Sequence, residues 1–192
     1  PTGCPFQRTP ELGGQKRSAA AAGERENPAI ANHQSTHMDY RIRGLSPEPF
    51  EPFFDLPDEV LATRGIERHV ADVTPGFPDR IELRDAEPGE RLLLLNFTHQ
   101  PAATPYRASH AIFVLEGART ALDYVNRVPP VMRERPMSLR GFDVNGRMID
   151  ADLAVGPDLP VAIRRLLRRP AIAYLHAHYA KQGCYAARIE RA

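Results

Sequence analysis

The feature that most constrains this chain is a run of short alternating segments separated by turn residues. The C-terminal stretch YLHAHYAKQGCYAARIER, residues 174–191, is the sharpest case. Apolar and polar residues alternate on both sides of a Lys-Gln-Gly turn, the signature of two paired strands. The same grammar recurs upstream in YRIRGL, IERHVADV, RIELRD, LLLLNF and HAIFVL, punctuated by TPGFPD, AEPGE and PAATP. Strands outnumber helices and the turns between them are short. This pattern predicts an α+β domain with a largely antiparallel β-sheet and a few helices packed on one face.

The alternation begins only after residue 37. Residues 1–37 contain AAAAG and scattered Gly, Pro, Gln and Asn, with no spaced apolar positions, so they read as a disordered leader, and Met38 reads as a natural start. The remaining residues, 38–192, read as a single domain. Of 25 basic and 24 acidic residues, the leader holds four bases and three acids, which leaves 21 of each in the domain. A neutral domain argues against nucleic acid or an anionic membrane as the main partner. The longest apolar run, Leu92 to Leu95, is far too short to span a bilayer. The chain therefore reads as a soluble cytoplasmic protein. With Cys4 in the leader and Cys184 in the domain there is no disulfide framework, and Cys184 is expected as a free thiol.

Several local elements are specific. Ser46-Pro47 predicts one or two helical turns with Ser46 as cap, and Pro57, Asp58 and Glu59 start a second short helix that Gly65 ends. LLLLNF, continuously apolar, predicts a central strand covered on both faces, whereas RIELRD predicts a strand with one wet face. Asn145-Gly146 between two alternating runs predicts a type I′ hairpin. LPVAIRRLLRR predicts an amphipathic helix, capped by Asp158 and stopped by Pro170, with Val161, Ala162, Ile163, Leu166 and Leu167 inward. Its arginines read as a solvated face.

Three segments, Glu90–Val114 (ERLLLLNFTHQPAATPYRASHAIFV), Asp150–Gly156 (DADLAVG) and the terminal hairpin, together resemble the DUF1203 proteins, an uncharacterised bacterial family. YRIRGL and PGFPDRIELRDAEPGE fit it too, so the resemblance covers residues 38–192. It implies a fold but no activity. The family pattern carries a small residue and Pro before IFV, where this chain has His110 and Ala111, and that departure argues against an essential role for His110.

Four constellations could carry chemistry. In the last hairpin Tyr174, His176 and His178 share one strand face, and Leu175 and Ala177 share the other, which reads as the packed one. A three-residue loop would bring Cys184 and Arg188 to the histidine face, and a two-residue loop would bring Tyr185 there instead. In the first case Cys184 and a histidine could form a nucleophilic pair. The histidines could also ligate a metal, with His99 or His110 as third ligand, although the sequence alone assigns no metal or other cofactor. The loop NFTHQPAATPYRASH offers Asn96, Gln100, Tyr106 and Arg107 as ligand-binding groups and His99 as one that titrates near neutrality. Asp150 and Asp152 share a strand face that reads either as an acid/base pair or as the solvated side of an edge strand.

The main reading is a pocket for a polar or anionic small molecule lined by His, Arg and Tyr, with His99, His176 and His178 as catalytic candidates and Cys184 a conditional fourth. A non-catalytic binding or interaction module is the alternative, and a His-ligated metal site (His176, His178, His99) is the second. The sequence leaves open whether the protein is an enzyme.

Overall fold

The computed structural model describes residues 38–192; the segment read as a leader lies outside the described residues. Two antiparallel sheets organise the fold. The larger has six strands in the order β5-β1-β9-β8-β6-β7: β1 (Tyr40–Arg43), β5 (Asp123–Val125), β6 (Met137–Phe142), β7 (Met148–Ala154), β8 (Tyr174–Tyr179) and β9 (Tyr185–Arg191). The smaller has the order β2-β3-β4: β2 (Glu67–Val70), β3 (Arg91–Gln100) and β4 (Ala108–Leu115). Three short α-helices complete it: α1 (Asp58–Ala62), α2 (Pro130–Arg133) and α3 (Asp158–Leu167). The α+β class with mostly antiparallel pairing is thus present, divided between two sheets.

Each face of the large sheet has its own core. On one side α3 lays Leu159, Ala162, Ile163, Leu166 and Leu167 against Leu139, Leu175, Ala177 and Ile189. Each large aliphatic side chain buried there is worth roughly 2 kcal/mol. On the other side the small sheet builds a second core from Leu92, Leu93, Leu95, Ile112 and Val114 with Phe50 and Phe54, and the large sheet contributes Tyr185 to it. β3, the LLLLNF strand, is the middle strand of its sheet, as its unbroken apolar run predicts. Strand β8 is consequently buried along its whole length.

Several local expectations fail for identifiable reasons. RIELRD is not a strand. The buried Asp79 carboxylate accepts the N–H groups of Ile81, Glu82 and Leu115, and Leu83 adopts a φ of 53°, so side-chain bonding captures the backbone that a ladder would need. Asn145-Gly146 does not form a type I′ turn. Gly146 alone has positive φ, its N–H bonds the Asp143 carbonyl at 3.1 Å, and the Asp143 carboxylate holds the Asn145 and Arg147 N–H groups. That is a wider loop closing on a left-handed glycine.

Ser46 makes no capping bond. The first helical turn is a 3-10 turn at Glu51–Phe53, entered through Phe50 and Glu51 N–H bonds to the Pro47 carbonyl. The α1 terminus follows expectation. Gly65 N–H returns to Ala62 O and Ile66 N–H to Leu61 O, the paired closure that a left-handed glycine allows. Asp158 is the first residue of α3 and makes no side-chain cap; Leu159 faces the core, and Val161 is 66% exposed. The aspartates of β7 face α3 rather than open solvent. Asp152 pairs with Arg165 at 2.5 Å and Asp150 with Arg169, which leaves Ile149 and Leu153 outward on the edge strand.

Candidate metal centre

Four histidines from three strands converge where the two sheets face each other. His176 and His178 come from β8, two residues apart and therefore on one face. Their face is not wet, contrary to the sequence expectation, because the small sheet covers it: His176 is 2% and His178 0% exposed. From that sheet β3 supplies His99 at an irregularity between Thr98 and Gln100, where the β4 register slips by one residue. An extra residue in one strand re-aims side chains locally, and His99 occupies that position, 8% exposed. His110 comes from β4 and is partly exposed.

A second irregularity, in β9 between the partners of Ala177 and His178, decides what surrounds the cluster. It sets Arg188 opposite His176 and Tyr185 opposite His178, so both join the histidine face. The Tyr185 ring stacks on His99, with centroids 5.0 Å apart and planes at 11°. Phe142 and Tyr174 close the other end, the former 5.0 Å and the latter 5.1 Å from the His176 ring.

The polar contacts within the cluster are few. His99 Nε2 and His110 Nδ1 share a hydrogen bond of 2.9 Å. His99 Nδ1 and His176 Nδ1 lie 3.4 Å apart. His178 Nδ1 lies 3.0 Å from the Gly183 carbonyl, which can only accept, so Nδ1 carries the proton. The second nitrogen, His178 Nε2, then carries a lone pair, and it is buried with no hydrogen-bond partner among the described residues. One nitrogen each from His99, His176 and His178 falls within 4.8 Å of the others.

Burial keeps these imidazoles neutral. Desolvation, first of all, pulls His99 down to about 4, His176 to about 2 and His178 to about 3. The Arg140 guanidinium on the same sheet face works in the same direction on all three, and His110 is lowered by the same two causes. Neutral imidazoles with free lone pairs are the form in which histidine ligates metal.

The remaining candidates divide. Gln100 is buried and donates from Nε2 to the Tyr174 hydroxyl at 2.9 Å, a strut at the edge of the cluster. Tyr106 is 39% exposed, and its ring centroid lies 6.5 Å from that of Phe142. Asn96 and Arg107 are exposed, and among the described residues neither side chain hydrogen-bonds the histidines. The loop that carries Arg107 turns on itself through Thr104, whose hydroxyl also donates to the Gly146 carbonyl at 3.2 Å.

Cys184 is a free thiol whose Sγ accepts from Arg80 at 3.2 Å, in a small cleft with Tyr179 and Arg135 and away from the histidines. The β9 irregularity lies between Cys184 and Arg188, so of these two Arg188 alone reaches the histidine face, and among the described residues Cys184 makes no hydrogen bond with a histidine. Asp150 and Asp152 lie on the α3 face of the sheet and are no part of the site. Sequence reasoning missed Arg140 and counted His110 against the site. Arg140 was visible only as an outward position in the alternation of MSLRGF.

The fold and the cluster define an α+β protein with a buried histidine site between two antiparallel sheets. Residues 76–191 match the family model of a protein of unknown function, DUF1203, and the chain belongs to that family. No curated protein and no solved structure matches it. Among the described residues no helix is long and apolar enough to cross a membrane.

Proposed function

We propose that this protein is a mononuclear metalloprotein holding a zinc-class divalent ion on His99 Nδ1, His176 Nδ1 and His178 Nε2, with the fourth position open to a small ligand. The observation that carries this reading is the orphaned lone pair of His178 Nε2. Its tautomer is fixed by the Gly183 carbonyl, the arrangement typical of a metal-ligating imidazole whose other nitrogen is tied to the backbone. An unpartnered acceptor of this kind costs about 1–3 kcal/mol unless something donates to it.

The 3.4 Å separation of the two Nδ1 atoms supports the reading. Two ligands at about 2.0–2.1 Å from a tetrahedral ion sit roughly 3.3 Å apart, close to this spacing and longer than a good nitrogen–nitrogen hydrogen bond. With His99 Nε2–H donating to His110 Nδ1, His99 Nδ1 presents its lone pair inward, and His110 orients a ligand without being one. A bound ion with an open position would polarise an oxygen ligand or activate a water molecule. That chemistry requires the three imidazoles together, and none of the Arg107 loop.

The test is metal content of the full chain purified without a His tag, followed by zinc titration of wild type and the His176→Ala/His178→Ala double variant. Near-stoichiometric zinc that the double variant loses is the expected result, with circular dichroism confirming that the variant folds. His178→Gln, which keeps an acceptor of similar size, serves if the double variant does not fold. Absence of tight zinc in the wild type, or undiminished binding in the variants, refutes the assignment.

A further inference from the structure

Arg140 is the feature of the site that the metal reading leaves unused. It lies on β6 directly opposite His176, so its side chain emerges on the histidine face beside the proposed ion. Its field is felt by all four histidines. It is half-buried, and among the described residues its guanidinium has no hydrogen-bond or ion-pair partner. Arg188, which flanks His176 on the other side, is engaged: it lies 3.8 Å over the Tyr174 ring and pairs with Glu190 at 2.5 Å. The cluster itself contributes no anion, since its members are imidazoles and a phenol. A divalent ion and a free guanidinium placed together without a carboxylate want a counter-anion.

The neighbours of Arg140 say where that anion enters and how large it is. On its outer side the cross-strand partner is Ala151 of the edge strand β7, a small and exposed residue that leaves the guanidinium unroofed. On its inner side the three proposed ligands are nearly closed to solvent. The occupant is therefore small and reaches the ion past Arg140. A planar two-oxygen group suits both ends, because the guanidinium fork matches a carboxylate and an open metal position takes one oxygen.

We infer that Arg140 anchors a small carboxylate bridging its guanidinium and the open position of the His99/His176/His178 ion. The inference rests on the metal reading and adds the ligand class. It moves the anion anchor from the Arg107 loop to the strand beside His176.

The experiment uses the full chain loaded with Co(II), whose visible absorption reports directly on the ligands of the ion. Acetate is titrated into wild type, Arg140→Leu and Arg140→Lys, with sulfate and phosphate as comparison anions. Acetate is expected to change the wild-type spectrum saturably. Arg140→Leu should weaken acetate about tenfold or more while leaving Co(II) affinity within about threefold, and Arg140→Lys should fall between because it keeps the charge but not the fork.

Failure to bind Co(II) at all overturns both the metal reading and this inference. Co(II) binding with no response to acetate, or with equal acetate affinity in Arg140→Leu, overturns this inference alone. A response to phosphate or sulfate stronger than that to acetate overturns the carboxylate assignment.

Discussion

The neutrality of the buried histidines makes the apoprotein sensitive to mild acid. In the folded chain His99, His176 and His178 lie near 4, 2 and 3, against about 6.5 for an unperturbed imidazole in the unfolded chain. Below pH 6.5 the unfolded state binds protons that the folded state refuses, so stability is lost as pH falls through 6.5 and continues to be lost until the folded values are reached. Each such histidine costs about 1.4 kcal/mol per pH unit in that window, and three cost about 4. Halving this figure for their mutual coupling still leaves about 2 kcal/mol per pH unit, a large share of a total stability of about 5–15 kcal/mol.

In the window from pH 6.5 to 5 the carboxylates held down by arginines, such as Glu90 and Glu116, stay ionised, whereas burial raises Asp79, whose proton uptake in the folded state offsets part of the histidine slope. Urea unfolding followed by circular dichroism in chelator, at half-unit steps from pH 7.5 to 5, measures the slope. We expect about 2–4 kcal/mol per pH unit, equivalent to roughly one and a half to three protons taken up on unfolding. A slope under about 1 kcal/mol per unit, or imidazole resonances of the folded protein titrating near 6.5, would refute the claim that these side chains are held neutral by burial.

Two further predictions concern the segment that replaced the expected strand. A Cβ on Gly44 would lie 1.9 Å from the Ile81 carbonyl oxygen, a backbone atom held where Leu45 N–H meets Arg80 O and Leu122 N–H meets Ile81 O. Gly44→Ala should therefore cost about 3 kcal/mol or more, seen as a melting temperature roughly 10 °C lower. Gly65→Ala, with positive φ but open space, should cost only about 1 kcal/mol; equal losses in the two variants would refute the steric account. Asp79→Ala strands the N–H groups of Ile81, Glu82 and Leu115, at about 1–3 kcal/mol each where burial is complete, and Asp79→Asn should recover part of the loss. Urea midpoints of the two variants that coincide with wild type would show that these bonds are replaced by water.

Strand identity was legible in this sequence where alternation was clean, and layer arrangement was not. The period of two in YLHAHY places His176 and His178 on one face, and the unbroken LLLL marks a central strand, because both follow from side-chain geometry within one strand. Which face lies inward depends on what covers it. The usual expectation sends Leu175 and Ala177 to the core and the histidines to water; here α3 covers one face and the small sheet the other, and nothing local to residues 174–179 encodes the second cover. The two irregularities were hidden for the same reason. An extra residue at His99 or at Ala186 is defined by the partner strand's register, which a single strand's sequence does not carry. Asp79 was misread because a short acidic side chain between Pro78 and Arg80 looks like turn punctuation until three N–H groups are found converging on it.

The energetic cost of the cluster is itself an argument about its purpose. Apolar side chains of similar volume at positions 99, 176 and 178 would pack against Tyr185, Phe142 and Tyr174 equally well, and they would remove both the acid sensitivity and the stranded lone pair. A fold gains nothing in stability from an imidazole that must stay neutral with one nitrogen unsatisfied. Neutral buried imidazoles gathered at one place, one of them with an unsatisfied nitrogen, support the proposed reading of the cluster as a ligand site. Bound metal would accept the lone pair of His178 Nε2 and, binding the folded state alone, would stabilise that state by mass action. It would link β3 of one sheet to β8 of the other. On this view, the histidines that weaken the apoprotein in acid are the same groups through which a metal ion would hold the two sheets together.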